Sequence, residues 1–336
     1  MLKTFVISAL FIIFSLPIFG QEYTIKFATL APEGSTWLNV MREYDQAIRK
    51  ESGGRMGFKI YAGSVAGDEQ DVLRKIRLGQ YHSAGFTGVG MGKIAPMVRI
   101  LDAPFFFKNH DEVDYVLAKY DSVFRKAFED NGFVLLGWAE VGYVYVFTNK
   151  PITKVSDLDG VKMWMWEGDP VAEATFQALD VKPIPLSITD VLTSLQTGLV
   201  NGIYASPLAA VSLQWFTAVK YMMDVPLTNS AGAVLISKRE YESLPADLQE
   251  ILSRNGSIYM KKLTQLSRQD NDKSLQVLKK NKIIFTQPAS QQEYERYEEI
   301  GKKARALMAG KLYSQEFLNS VERTLADYRA SHKGSR

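Results

Sequence analysis

Residues 23–92 read YTIKFATLAPEGSTWLNVMREYDQAIRKESGGRMGFKIYAGSVAGDEQDVLRKIRLGQYHSAGFTGVGMG, and two periodicities alternate along them. Tyr23 to Thr29 is rich in β-branched and aromatic residues and reads as a strand. After the loop Ala31-Pro32-Glu33-Gly34, Ser35 or Thr36 caps a helix whose buried stripe is Trp37, Val40, Met41, Tyr44, Ala47 and Ile48. Gly53-Gly54 stops it, and Phe58 to Tyr61 is a second strand. Asp68 to Leu78 is a helix with Val72, Leu73 and Ile76 inward and Gly79 past its end. Ser83 to Thr87 is a third strand, followed by a glycine-rich loop at Gly88, Gly90 and Gly92. Strand-helix alternation of this kind predicts a mostly parallel sheet with helices on its faces. Ligands then sit beyond the carboxyl ends of the strands, here Leu30 to Trp37, Ala62 to Gly67 and Phe86 to Gly90.

The theme repeats further on. Phe133 to Trp138, Tyr143 to Asn149 and Lys162 to Trp166 read as strands, and Asp169-Pro170 opens a helix running through Leu179. Ile188 to Leu199 is a helix, Gly202 to Ser206 a strand end and Pro226 to Ile236 a strand. A long helix starts at Leu244-Pro245-Ala246-Asp247, and charged amphipathic helix begins at Ser290. The fold class expected is α/β with two lobes, a hinge and a cleft between them. Residues 21–147 with 229–286 would form the first lobe, 148–228 the second, and 287–336 C-terminal helices packing on both. Two crossings between two lobes make a hinge.

Lys3 followed by the apolar run Phe5 to Phe19 and then Gly20 has the layout of a secretory signal, so residues 1–20 are expected to be removed and the remainder to be periplasmic. The run is short for a membrane span of about 20 residues. The chain has no cysteine, which removes a lipid-attachment site, disulfides, thiol nucleophiles and cysteine-ligated metals. Its 40 Lys+Arg against 37 Asp+Glu, with no basic block alternating with aromatics, argue against nucleic acid. Of the three histidines, His82 falls in a predicted strand and His110 beside Asp111 in a turn; with His332 they show no metal-ligand spacing. No metal and no cofactor is expected.

Several stretches stand together in a recognisable order: Ala31-Pro32-Glu33-Gly34-Ser35-Thr36-Trp37, Leu73-Arg74-Lys75-Ile76-Arg77-Leu78-Gly79-Gln80, Leu101-Asp102-Ala103-Pro104-Phe105, Gly137-Trp138, Asp157-Leu158-Asp159-Gly160-Val161-Lys162, Leu195-Gln196-Thr197-Gly198 and Ser243-Leu244-Pro245. In that order and spacing the chain resembles the solute-binding proteins of tripartite ATP-independent periplasmic (TRAP) transporters. The resemblance implies a small solute trapped between two lobes, a long helix bracing both, and docking on membrane permease subunits. It also implies an arginine two residues after Lys162 to clamp a ligand carboxylate, since a guanidinium fork fits a carboxylate. Here that position is Trp164. Tyr143-Val144-Tyr145-Val146-Phe147 and Ile203-Tyr204-Ala205-Ser206-Pro207 likewise stand where the family carries polar or cationic residues. Such replacement resembles a divergent subgroup that sits beside a tetratricopeptide-repeat partner protein.

The expected binding residues are therefore Trp37, Phe86, Trp138, Glu140, Tyr143, Trp164, Trp166, Tyr204 and Ser206, and the expected ligand is small and apolar, aromatic or amphipathic. The same aromatics could instead pack the core, because side chains alternate across a strand and one face of each pair must be covered. Glu140, Glu167 and Asp169 near the aromatics would suit a quaternary ammonium, but Asp169 before Pro170 reads more simply as a helix cap. Two other functions compete. Carriage of an organic acid would need Arg74, Arg77 or Arg99 to reach the cleft, and a sensor or scaffold would present its surface to a partner protein. An enzyme would need a nucleophile, base and orienter in mutual reach, and the sequence offers none.

Overall fold

A computed structural model describes residues 22–332; the segment read as a secretory signal lies outside them. Strand β1 (Tyr23–Ala28) leads to helix α1 (Thr36–Glu51), β2 (Met56–Tyr61), α2 (Glu69–Arg77) and β3 (Ser83–Thr87). The capping residues decide these ends. Ser35 accepts from Leu38 N and Asp68 from Gln70 N, each satisfying an orphan amide of a first helical turn. The expected glycine-rich loop is instead a short helix, α3 (Gly88–Ile94), capped by Thr87. Its glycines are there for close approach. A Cβ on Gly88 would lie 1.6 Å from Asp102 Oδ2, and one on Gly90 would lie 2.7 Å from Glu69 Oε2.

A 3₁₀ turn at Pro96–Asp102 precedes α4 (His110–Asp130). His110 opens this helix rather than sitting in a turn, with Asn109 as its cap. His82 lies just before β3, not within a strand. The two strands expected at 133–149 are one long strand, β4 (Phe133–Thr148), with register shifts at Leu135/Gly137, Glu140/Gly142 and Val144/Val146. Then come β5 (Trp164–Trp166), α5 (Pro170–Leu179), β6 (Ile184–Leu186), α6 (Val191–Gln196), β7 (Gly202–Ala205) and α7 (Pro207–Ser212). The last part holds β8 (Tyr221–Ser237), α8 (Lys238–Ser243), α9 (Ala246–Lys280), β9 (Ile284–Thr286), α10 (Gln291–Met308) and α11 (Gln315–Ser331).

The main sheet has seven strands in the order β2-β1-β3-β8-β4-β7, with β9 on β8. It is mixed rather than mostly parallel: β3, β4 and β7 join through antiparallel pairs, because β8 returns between β3 and β4. The long strands β4 and β8 serve both lobes. Leu135 and Leu235 belong to the core of the first lobe with Phe124 and Phe128, while Phe147 and Met222 belong to that of the second with Trp164 and Trp215. Helix α9, 35 residues and so about 50 Å long, braces the two. It packs on α1 at one end and on α7 at the other. In its last third, Asn271 donates to Val141 O at 2.8 Å and accepts from Leu208 N at 3.0 Å, tying β4 to the start of α7.

The approach of α9 to β4 depends on a glycine pair. A Cβ at Gly256 would fall 2.6 Å from Leu136 O, and one at Gly137 would fall 2.7 Å from Met260 Cβ. Gly256→Val should therefore lower stability by about 3 kcal/mol through overpacking against backbone. Urea unfolding should show a lower midpoint at unchanged slope; an unmoved midpoint would contradict this contact.

Candidate functional site

The cleft lies between the lobes. Its first-lobe wall is the loop Thr29–Trp37 and the segment Gly85–Val89; its second-lobe wall is Met163, Trp164, Trp166, the first turns of α5 and the segment Tyr204–Ser206; Val141, Val144 and Leu227–Ser230 close the back. Two of the three expected strand ends thus meet the cleft, whereas Ala62–Gly67 is not part of its wall. Trp37 lies over two glycines: Cβ atoms at Gly85 and Gly232 would each come within 3.2 Å of its indole.

Trp37, Phe86, Trp164, Trp166, Tyr204 and Ser206 are brought together on this wall. Trp138, Glu140 and Tyr143 are not. Trp138 packs edge-on against Phe124 and donates its Nε1 proton to Asp121 at 2.6 Å. Glu140 turns toward α9, where Arg268 Nη2 donates to it at 2.7 Å, and His110 Nδ1 lies 3.1 Å away. Tyr143 lies tilted against His110, with 4.8 Å between ring centres. Within the cleft most of the aromatic mass is also core. Trp164 is 1% exposed, stacks on Tyr204 at 4.9 Å, meets Trp215 edge-on at 5.3 Å, and donates Nε1–H to Leu186 O at 3.0 Å. Ser206 is committed as the cap of α7, accepting from Ala209 N.

Of the three arginines that carriage of an organic acid would need, Arg99 lines the cleft, whereas Arg74 and Arg77 do not. Arg99 sits in the 3₁₀ turn before α4, and its side chain is 3% exposed. Nη2 donates to Asp169 Oδ1 at 2.8 Å across the interlobe gap, and Nε lies 3.1 Å from Asp102 Oδ2 without aiming its hydrogen there. Nη1 finds no partner among the described residues. Neither do Oδ1 and Nδ2 of Asn229, which is 1% exposed and lines the same cleft. Buried polar atoms are normally satisfied, so unpartnered atoms on two cleft-lining residues stand out. Asp169 does cap α5, accepting from Val171 N at 3.0 Å, and it also anchors Arg99.

Burial shapes the titration of the neighbouring acids. Asp102 is pushed up to about 6 by burial, against the pull of Arg99 and the Ala231 N–H. Glu69, on α2, is pushed up to about 7 by burial although Thr87 N and Gly90 N donate to it at 2.7 Å. Arg99 stays charged: Asp169 and Asp102 outweigh its own desolvation. At the cleft mouth Asp68 accepts from Trp166 Nε1 and Ser187 Oγ, and Gln70 donates to Glu167 O at 2.7 Å, so first-lobe helix α2 touches the second lobe. Among the described residues no cluster of His, Asp and Glu has the arrangement of a metal site, and no helix is long and apolar enough to cross a membrane.

Known proteins bear on this geometry. A C4-dicarboxylate-binding periplasmic protein, DctP, of Rhodobacter capsulatus is 23% identical over 278 residues, covering 81% of this chain and 82% of that one. A TRAP periplasmic solute binding protein from Desulfovibrio salexigens, with bound orotic acid, superposes with a TM-score of 0.83 at 20% identity, over 91% of this chain and 99% of that one. The sugar acid binding protein DctPAm from Advenella mimigardefordensis, in complex with galactonate, gives 0.85 at 19% identity, over 92% and 99%. These solved structures share the two-lobe α/β fold. The apolar, aromatic or amphipathic ligand expected from the aromatic cluster is not supported by these three proteins, whose names give a C4-dicarboxylate, orotic acid and galactonate, and the competing organic-acid reading fits them better. The physical basis of the apolar expectation also weakens, since Trp164 is largely core and a charged guanidinium stands in the wall. Residues 27–309 match the family described as DctP, bacterial extracellular solute-binding protein, family 7, and the chain belongs to that family.

Proposed function

We propose that the protein captures an organic acid in the interlobe cleft and delivers it to TRAP-type membrane permease subunits. The observation that carries this reading is the buried, cleft-lining Arg99 whose Nη1 has no partner among the described residues. A carboxylate seated there gains a charge-assisted hydrogen bond, and the Asn229 amide, which lines the same cleft, offers both a donor and an acceptor. Leu30, Val89, Trp164, Trp166 and Phe176 surround the remaining space, so the acid's carbon skeleton lies against apolar walls and needs few hydroxyls. Arg99 thus takes the role that the family resemblance assigns to the position of Trp164. The divergent subgroup with its tetratricopeptide-repeat partner rests on that replacement alone. Export of the chain rests on its first 20 residues, read as a signal.

The test is thermal unfolding of protein refolded from denaturant, which removes cellular cargo, in the presence of orotate, pyroglutamate, galactonate, glucuronate, succinate and benzoate. An acid at a hundred times its Kd stabilises by about 2.7 kcal/mol. At least one flat or apolar-bodied acid should raise the midpoint. Stabilisation by uncharged amphiphiles alone, with none by any acid, would overturn the reading.

A further inference from the structure

The wall around Arg99 carries more negative than positive charge before any ligand arrives. Arg99 is the one cation lining the cleft among the described residues, while Asp102 from the same turn, Asp169 at the start of α5 and Glu69 from α2 are three carboxylates lining it. The other groups facing the cluster are neutral or bring no positive charge to the wall. They are the Tyr204 phenol on β7, held protonated by burial, the Asn229 amide and Ala231 N–H on β8, and the Thr87 hydroxyl at the start of α3. Beyond them, Asp68 lies next to Glu69 and interacts unfavourably with it, Lys93 of α3 reaches Gly168 at the mouth, and the Tyr313 phenol after α10 is kept neutral by burial.

Placing a ligand carboxylate on Arg99 Nη1 puts it on the same guanidinium whose Nε already lies 3.1 Å from Asp102 Oδ2 and whose Nη2 holds Asp169 at 2.8 Å. Three anions around one buried cation cannot all stay ionised cheaply, because water is excluded and screening is weak. Asp102 can give way. Its Oδ1 accepts from Ala231 N at 2.9 Å, and Arg99 Nε does not aim its hydrogen at Oδ2, so protonating Oδ2 breaks no aligned hydrogen bond.

We propose that the cleft takes up one carboxylate together with one proton, which comes from solvent and ends on Asp102, so that the protein selects monoacids over diacids and holds them more tightly as pH falls. The inference rests on the acid reading of the site and adds its stoichiometry and substrate class. Burial already pushes Asp102 up to about 6. A bound anion raises it further, so uptake is largest above that value. Affinity is flat below about pH 6 and weakens above it by up to about tenfold per pH unit. A diacid brings a second charge for which the wall has no cation, and it binds more weakly than its monoacid analogue.

The experiment is calorimetry with whichever of orotate, pyroglutamate, galactonate, glucuronate and benzoate stabilises the protein most. It is run near pH 7 in buffers of different ionisation enthalpy, and repeated at pH 6.5 and 7.5. Wild type should take up close to one proton per acid, with Kd weakening about five- to tenfold between the two pH values. Asp102→Asn, a neutral isostere of the protonated acid, should bind with uptake near zero and a Kd that no longer depends on pH. Succinate should bind at least tenfold more weakly than butyrate. Heats independent of buffer in wild type, or uptake that survives Asp102→Asn, would overturn the inference while leaving an acid-binding protein. Failure of every acid to bind at any pH would defeat the acid reading itself.

Discussion

Arg99→Met should cost the protein both its fold margin and its acid affinity. The guanidinium is 3% exposed and lies between Asp102 and Asp169, themselves 7% and 6% exposed at the side chain. Removing one partner of a buried ion pair costs about 3–5 kcal/mol, because the other charge is left uncompensated. That is a large part of the 5–15 kcal/mol typical of a folded protein. A poorly folded variant would say nothing about binding, so the informative protein is Arg99→Met combined with Asp102→Asn and Asp169→Asn. Asparagine keeps the cap of α5, and no buried charge is left in the trio. This triple variant should recover most of the urea midpoint and still bind acids at least about a hundredfold more weakly, a loss of about 3 kcal/mol. Recovery of acid affinity along with stability would show that the carboxylate sits elsewhere.

The second large effect is expected at Trp164. Replacing it with alanine removes a large, fully buried ring, its stack on Tyr204, its edge contact with Trp215, and the donor to Leu186 O. Aromatic-to-alanine changes in cores cost about 3–5 kcal/mol. The urea midpoint should fall accordingly, while Trp164→Phe, which keeps much of the packing, should fall by less than half as much. Acid affinity measured in the folded fraction should change by less than about tenfold. A stable Trp164→Ala protein with binding abolished would instead make this residue a ligand anchor rather than a wall of the core.

Trp164 and Arg99 also show what the sequence could and could not disclose. Helix starts were legible because a cap is a local interaction: Ser35, Asp68, Asp169 and Ser290 each accept an amide within three residues. The same local signal marks α4, with Asn109 as cap and Asp111 and Glu112 in the first turn, although His110 beside Asp111 also reads as a turn. The parallel beginning of the sheet was visible in residues 23–87. Its antiparallel half was not, because β8 inserts between β3 and β4 through pairings as distant in sequence as Ser83 with Ile236 and Thr148 with Tyr221, which no local pattern records. The α3 glycines looked like a loop because what they make room for, Asp102 and Glu69, lies elsewhere in the chain.

At the site, aromatic positions on the second lobe were found through their place in the strands, and six of the nine expected residues line the cleft. Trp138, Glu140 and Tyr143 were misplaced because β4 shifts register three times, and each shift changes which side chains face which neighbour. Arg99 gave one usable hint. An Arg and an Asp three residues apart, inside the otherwise apolar run Pro96 to Phe107, form a pair that is expensive to bury unless it serves something. Its third member, Asp169, is 70 residues away and could come only from the fold.

The most direct measurement is a crystal structure of the protein loaded with the acid that stabilises it best. The account predicts a carboxylate oxygen about 2.8 Å from Arg99 Nη1, with the Asn229 amide turned toward the same ligand. A ligand seated in the cleft with its carboxylate in solvent, and Arg99 Nη1 still without an acceptor, would contradict it.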